Sequence, residues 1–574
     1  MRALSLLCLA VALTCTIPVD AARIAPDAVP ATTQMPQGNG PWVVRAYYSS
    51  ERSLERLLER AAPWRVDRNA RVLIIEVNDR GEYQRLLDEG FRVAIDAERT
   101  AAFTHPAQRQ LDQVNGIGGY ACYRTVEESL SSAQQLVAAH GAIAELVDIG
   151  DSWKKHQNAA LGYDLWALRL TNRAIGGVKP VHYLQGGIHA REYATAETVL
   201  RYGEWLAAQY DVNPDVTWIL DHQEVVILFQ ANPDGRKVAE ASITRSQRKN
   251  RNEAFCSTGS TTLGVDLNRN FPFDWGGLGS SGTACSETFR GPSAASEYES
   301  QAIIAYLRTI FPDQRAENPG VDLTTPVSLD ATGIYMDVHS NAGTTWWPWG
   351  NVNGVLAPNS TQLQTLGRKI AYYNGLTPEQ SNAGGAIGGA TDDFTFGTLG
   401  VAAFTIEMDG NDFWPSCTTY ANTLLQPTLD GFFMASKLAR APYRWAAGPE
   451  LVNVSATPTP VTSAGSVTIS ARAEDARFNN TVGSEPAQQV TSVALYLLPP
   501  WQAGVTPVAQ LQPTDGAFNT SAESAFVDVP ASALSPGRQL LYLRATDAAG
   551  NQGPVAAVFV SVGEVDPLFA NGFE

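Results

Sequence analysis

Histidine and cysteine are both scarce in this chain of 574 residues, with 7 and 6 copies. Each surviving cluster of them therefore carries more information. Basic residues are outnumbered, Lys+Arg 41 against Asp+Glu 58, and the formal net charge is −17. Nucleic acid and anionic membranes repel so acidic a chain, which excludes general binding to either. Charged residues reach only 17% and apolar ones 44%, which excludes a disordered or collagen-like chain. Outside residues 3–19 no apolar run approaches the ~20 residues of a membrane span. The length is too great for one compact domain and suggests about two to four.

Met1 and Arg2 precede the apolar stretch, and small residues follow near Ala21. That order fits a secretory signal peptide over 1–21, with a short membrane anchor as the alternative. Loss of the leader removes Cys8 and Cys15 and leaves Cys122, Cys256, Cys285 and Cys417. An even number in an exported protein suits two disulfides.

Residues 22–112 open on a Pro/Ala/Gln/Gly-rich lead-in. They continue as a small α+β unit, with strand-like runs at 71–77 and 91–95. Residues 113–447 alternate helical segments with apolar strand-like runs at 181–184, 225–229, 334–338 and 401–406. Such alternation predicts an α/β domain with a mixed or largely parallel sheet flanked by helices. Residues 448–563 lack Lys, His and Cys and show period-two alternation, as at Val467, Ile469 and Ala471 or Leu541, Leu543 and Ala545. Turn residues separate these runs, the pattern of a β-sandwich. A tail, 564–574, completes the chain.

The sharpest local feature is Gly186-Gly187-Ile188-His189-Ala190-Arg191-Glu192, between a strand-like run and a helical pattern. His189 and Glu192 are three apart at that turn, so both side chains can converge on one cation. Alone, such a pair is weak evidence, since most are surface hydrogen bonds. A catalytic zinc needs three protein ligands and an open position, and His339, at the end of 334–338, offers the third. Asp266 could orient a ligand imidazole from behind. Asn268 and Arg269 could grip a carboxylate with a planar fork. Glu407 closes the apolar run 401–406, where a buried carboxylate can act as general base. All sit at carboxyl ends of predicted strands, where α/β sheets place their sites.

Taken together, HARE at 189–192, NPDG at 232–235, Gln247-Arg248-Lys249, DLNRN at 266–270, CSETFRG at 285–291, HSN at 339–341 and FTIE at 404–407 resemble the zinc carboxypeptidase family of the pancreatic A/B type. The resemblance covers about 120–445. It implies one Zn²⁺ on His189, Glu192 and His339, with Asp266 behind the first histidine. It implies Glu407 as the base acting on the zinc-activated water, and Arg248 as the group that polarises the scissile carbonyl. Asn268 and Arg269 match the clamp for a substrate's terminal carboxylate, and Arg191 a residue guiding substrate along the subsites. The resemblance also implies a Cys256–Cys285 bridge around DLNRN. It leaves Cys122 and Cys417 as the second pair or as two free buried thiols.

Two departures stand out. The family's mobile Tyr over the bound substrate aligns with Gly385, within the glycine-rich stretch 381–389. Tyr372 and Tyr373 lie near in sequence, but a helical, structural role is expected for both. Asp392 falls where the basic-specific branch has Asp and the apolar-specific branch an aliphatic residue, so a preference for C-terminal Lys or Arg is expected. Asp393 is the competing candidate. The unit before the catalytic domain occupies the place of the family's inhibitory pro-segment, with a permanent N-terminal domain as the alternative, and the polar stretch near 109–113 is a candidate nicking site. The last module resembles bacterial immunoglobulin-like domains.

The expected function is that of a secreted zinc exopeptidase acting on peptide or protein C-termini, without nucleic-acid partners and as a monomer. A cell-wall (murein) peptide carboxypeptidase or amidase is one alternative. An inert surface-binding protein is the other. Retention of Arg248, Asn268 and Arg269 favours the exopeptidase over the first, and retention of all ligands and Glu407 favours it over the second.

Overall fold

A computed structural model of the chain describes residues 32–108, 113–241, 245–256, 262–315, 320–410 and 412–563. The expected leader, most of the candidate nicking site and the tail lie outside the described residues.

The first unit pairs β1 (Trp42–Tyr47), β2 (Arg65–Asp67), β3 (Val72–Val77) and β4 (Arg92–Ile95) in the order β2-β3-β1-β4, with every pairing antiparallel. Helices Glu51–Leu58 and Arg80–Asp88 start on side-chain caps, Ser50 and Asp79, which satisfy amides that have no partner within the helix. The strands have period two, so alternate residues face opposite ways. Trp42, Val44, Ala46, Leu73 and Ile75 pack with the helical Leu54, Leu57 and Leu86 in a core of their own. The intervening Val43, Val72 and Ile74 join the main core. One face of this sheet is thus covered by its own helices and the other by the central domain.

The central domain holds eight strands: β5 (Ala144–Asp151), β6 (Asp164–Leu170), β7 (Val181–Gly186), β8 (Glu224–Leu228), β9 (Ile334–Ser340), β10 (Thr344–Trp347), β11 (Thr377–Gln380) and β12 (Ala402–Met408). Their order is β11-β10-β12-β9-β7-β8-β6-β5. β12, β9, β7 and β8 are parallel neighbours, whereas β5, β6 and β10 bring antiparallel pairings. This is the expected mixed sheet flanked by helices. Every residue of β7 and β9 is buried, as required of strands covered on both faces. Helix Tyr193–Gln209 buries Val199, Tyr202 and Leu206. Both disulfides form, Cys256–Cys285 and Cys122–Cys417.

The remaining strands are β13 (Glu450–Thr457), β14 (Ser466–Glu474), β15 (Val490–Tyr496), β16 (Ala509–Gln510), β17 (Gln512–Pro513), β18 (Ala522–Pro530), β19 (Gly537–Asp547) and β20 (Ala556–Val562). They form two antiparallel sheets, β13-β14-β18-β17 and β16-β15-β19-β20. The two sheets share one core, including Val467, Ile469, Val493, Leu495, Leu541 and Val560. The joint to the central domain is buried and charged. Lys369 Nζ lies 2.9 Å from Glu450, whose other oxygen accepts from Tyr373. Arg368 pairs with Glu485 at 2.5 Å, and Trp501 packs against Trp218 at 5.4 Å and Trp445 at 6.2 Å.

Candidate metal centre and cleft

Gly187, just after β7, has φ +73, a left-handed conformation that glycine takes at no steric cost. The chain then turns into helix Tyr193–Gln209, with His189 and Glu192 in the turn. His339 lies within β9, beside β7. His189 Nδ1 is 2.8 Å from Glu192 Oε1 and 3.1 Å from His339 Nδ1. His339 Nδ1 is 3.4 Å from Glu192 Oε2, and one ligand atom from each of the three residues lies within 4.8 Å of the others.

The outer ring nitrogens face carboxylates, His189 Nε2 on Asp266 at 3.3 Å and His339 Nε2 on Asp337 at 3.1 Å. That arrangement keeps the outer proton in place and turns the Nδ1 lone pairs inward. Burial, followed by the charge of Arg248, lowers His189 and favours the neutral ring a cation needs. Burial also lowers His339, but Asp337 and Glu192 more than offset it and the net shift is upward. Burial raises Glu192, which its two histidine neighbours outweigh, so its carboxylate stays ionised. Two imidazoles and one carboxylate converging in this way fit a tetrahedral zinc with one open position.

Glu407 lies on β12 directly beside His339 in the parallel pairing. Burial pushes its carboxyl up to about 7, against the pull of His339. One oxygen accepts the Ala342 amide at 3.3 Å. Arg248 stands on the other side, its Nη1 3.2 Å from His189 Nδ1 and its Nη2 3.0 Å from Asp266. Arg269 is fixed by bonds to the carbonyls of Gly279 at 2.8 Å and Asn268 at 2.7 Å. Burial lowers it to about 10, which leaves it a cation at neutral pH. Asn268 Oδ1 accepts the Thr391 amide at 3.0 Å.

The two candidate pocket acids differ. Asp392 lines the cleft and accepts from Ser381 at 2.9 Å and Thr405 at 3.2 Å. Asp393 turns away and accepts the Gly350 amide at 3.0 Å. Arg191 is not among the cleft-lining side chains. It is buried, 3.0 Å from Glu287 and stacked over Phe413 at 4.3 Å. Among the described residues no tyrosine lines the cleft. Tyr372 and Tyr373 belong to helix Ser360–Asn374, on the joint with the last module.

The first unit covers the cleft, and Leu58 and residues 61–66 line it together with His189, Arg269 and Glu407. Trp64 packs on Phe413 and Trp414 at 5.4 and 5.9 Å. The Ala62 amide donates to Glu287 at 3.1 Å. Gly385 has φ +115, and a Cβ there would meet Leu58 Cδ1 at 2.3 Å. A unit lying over the cleft is what the likeness of this segment's place to a pro-segment implies, but no local pattern announces the residues that make the contact. Sequence reasoning missed Asp337, although an acid two residues before His339 on one strand shares its face.

A model of the zinc carboxypeptidase family matches residues 130–429. Mouse carboxypeptidase A2 is 31% identical over 39% of this chain and 49% of its own length. A zinc carboxypeptidase from Saccharothrix mutabilis subsp. capreolus is 27% identical over 50% of this chain and 62% of its own. The chain thus spans about half to three-fifths of the length of these curated relatives. The crystal structure of the carboxypeptidase A from Helicoverpa armigera shares the fold, with a TM-score of 0.55 and 22% identity over 70% of this chain and 98% of that one. By sequence, fold and ligand set, this chain belongs to the zinc carboxypeptidase family.

Proposed function

We propose that this protein is a secreted exopeptidase that hydrolyses the last peptide bond of peptides and proteins, preferring C-terminal Lys or Arg. The observation that carries the reading is the convergence of the His189–Glu192–His339 triad, Glu407 and the fixed Arg269 cation on one cleft. A zinc ion on the triad would activate water and polarise the scissile carbonyl.

Glu407, raised to about 7, is suited to take a proton from the attacking water and return it to the leaving amine near neutral pH. Arg248 is positioned by Asp266 to stabilise the negative charge that develops on the carbonyl oxygen. Asn268 and Arg269 bind the terminal carboxylate, a group that internal peptide bonds lack, and binding there sets the scissile bond in register. Asp392 supplies the negative charge for a basic side chain. The first unit, which roofs the cleft, acts as a pro-segment, and the last module is an immunoglobulin-like domain docked to the catalytic one.

The test is mass spectrometry of short peptides ending in Arg, Lys, Leu or Phe, incubated with the chain nicked by limited proteolysis. Single-residue shortening that a zinc chelator abolishes and added zinc restores supports the reading. Internal cleavage, or no cleavage, refutes it.

A further inference from the structure

In the register of β11, β10 and β12, Glu379 pairs with Trp346 and Trp346 with Thr405. Direct cross-strand partners point to the same face of a sheet, so these three side chains form a row. All three line the cleft, and Thr405 at the inner end holds Asp392 at 3.2 Å. The row therefore runs from one carboxylate to another with an indole between them. Trp346 Nε1 donates to Glu379 Oε1 at 3.1 Å, which fixes the plane of the ring.

Glu379 is half-buried, and among the described residues it has no cation within ion-pair distance. Burial raises its carboxyl, while the Trp346 bond and the charge of Arg68 work against that rise. Arg68 belongs to the roofing unit. Its Nη2 is 3.7 Å from the point that a Cβ on Gly385 would occupy, so the covering segment already brings a guanidinium to this end of the cleft.

The geometry points to Glu379 as a second specificity-determining carboxylate, which with the Trp346 ring and Asp392 receives the cationic end of a substrate's terminal Lys or Arg. This inference rests on the exopeptidase reading above. A guanidinium suits the place on three counts. It is planar enough to stack on an indole, it donates in a fork to carboxylates, and its weak hydration lowers the cost of entry. Glu379 also holds Trp346 in place, so an apolar terminal side chain would use the ring without needing the charge.

The experiment compares kcat and KM on peptides ending in Arg, Lys and Leu, using the full chain nicked by limited proteolysis, with Glu379→Gln and Trp346→Phe variants. Glu379→Gln is expected to lower kcat/KM for Arg and Lys about tenfold, chiefly through KM, and to leave Leu within about twofold. Trp346→Phe removes the indole N–H but keeps the acid, and is expected to give a smaller loss in the same direction. Turnover of the Leu peptide is the folding control. An unchanged Arg-to-Leu ratio in Glu379→Gln, or an equal loss on all three peptides, overturns the assignment. Failure of the unsubstituted chain to shorten any peptide would instead overturn the exopeptidase reading.

Discussion

Glu407 and His339 are direct neighbours in the parallel pairing of β12 with β9. The candidate base and a candidate metal ligand are thus held by the backbone ladder of a buried sheet. Replacing Glu407 with Gln keeps the shape but removes the proton acceptor. The expected outcome is zinc content equal to the parent and a fall in kcat of about 10²–10⁴-fold. Metal analysis beside steady-state kinetics checks it, and substantial residual turnover would place the base elsewhere.

Gly385 and Leu58 supply a second test. A side chain at 385 would run into Leu58 and would sit at a φ of +115, which L-residues rarely adopt. Gly385→Tyr is expected to loosen the first unit without disturbing the triad. Its linker should be cut faster by protease, and the uncut chain should gain activity. Equal cutting rates would show that the contact contributes little.

Seating of the first unit should also depend on pH. Glu76 on β3 lies in the seam, 3.1 Å from Ser246, and burial, then the charge of Glu287, pushes its carboxyl up to about 7 from 4.5. A raised carboxyl binds its proton more tightly when the unit is seated. Seating is then strongest below about pH 4.5, weakens as pH rises toward 7 and levels off above that. With the carboxyl moved from 4.5 to about 7 on seating, about 70-fold weaker seating at pH 8 than at pH 5 is expected, with the dependence flattened in Glu76→Gln. Limited proteolysis across that range measures it, and a parallel profile in the variant would clear Glu76.

The joint with the last module predicts a stability effect. Lys369 is fully buried and its cation is matched by Glu450. Glu450→Ala leaves that charge unpaired, at an expected cost of about 3–5 kcal/mol. Denaturant unfolding of the full chain checks this. A loss below about 1 kcal/mol would mean that water reaches Lys369.

The mixed sheet and the metal triad were legible because their signals are local: buried strands read as apolar runs, and each ligand stands at or near a strand end. The Cys256–Cys285 bridge followed from family resemblance, whereas Cys122–Cys417 was one of two readings left open and the structure decides for the bridge. A covering unit was expected from the family resemblance, but the contacts that seat it were not legible, because Leu58 and Gly385 are brought together by packing of Val43, Val72 and Ile74 against the main core. Glu379 was hidden for a related reason. Its strand, β11, is four residues long, contains Pro378, and has no apolar run to mark it. The seating of the last module through Lys369 and Glu450 likewise has no sequence signature, since buried ion pairs are invisible until both partners are placed.

The central claim is hydrolysis at a free C-terminus by a metal centre on His189, Glu192 and His339. Its most direct test is the rate of removal of the last residue from one peptide prepared as the free acid and as the C-terminal amide. Cleavage of the acid only, lost on chelation and regained with zinc, is the predicted result. Equal cleavage of acid and amide, or activity indifferent to the chelator, would contradict it.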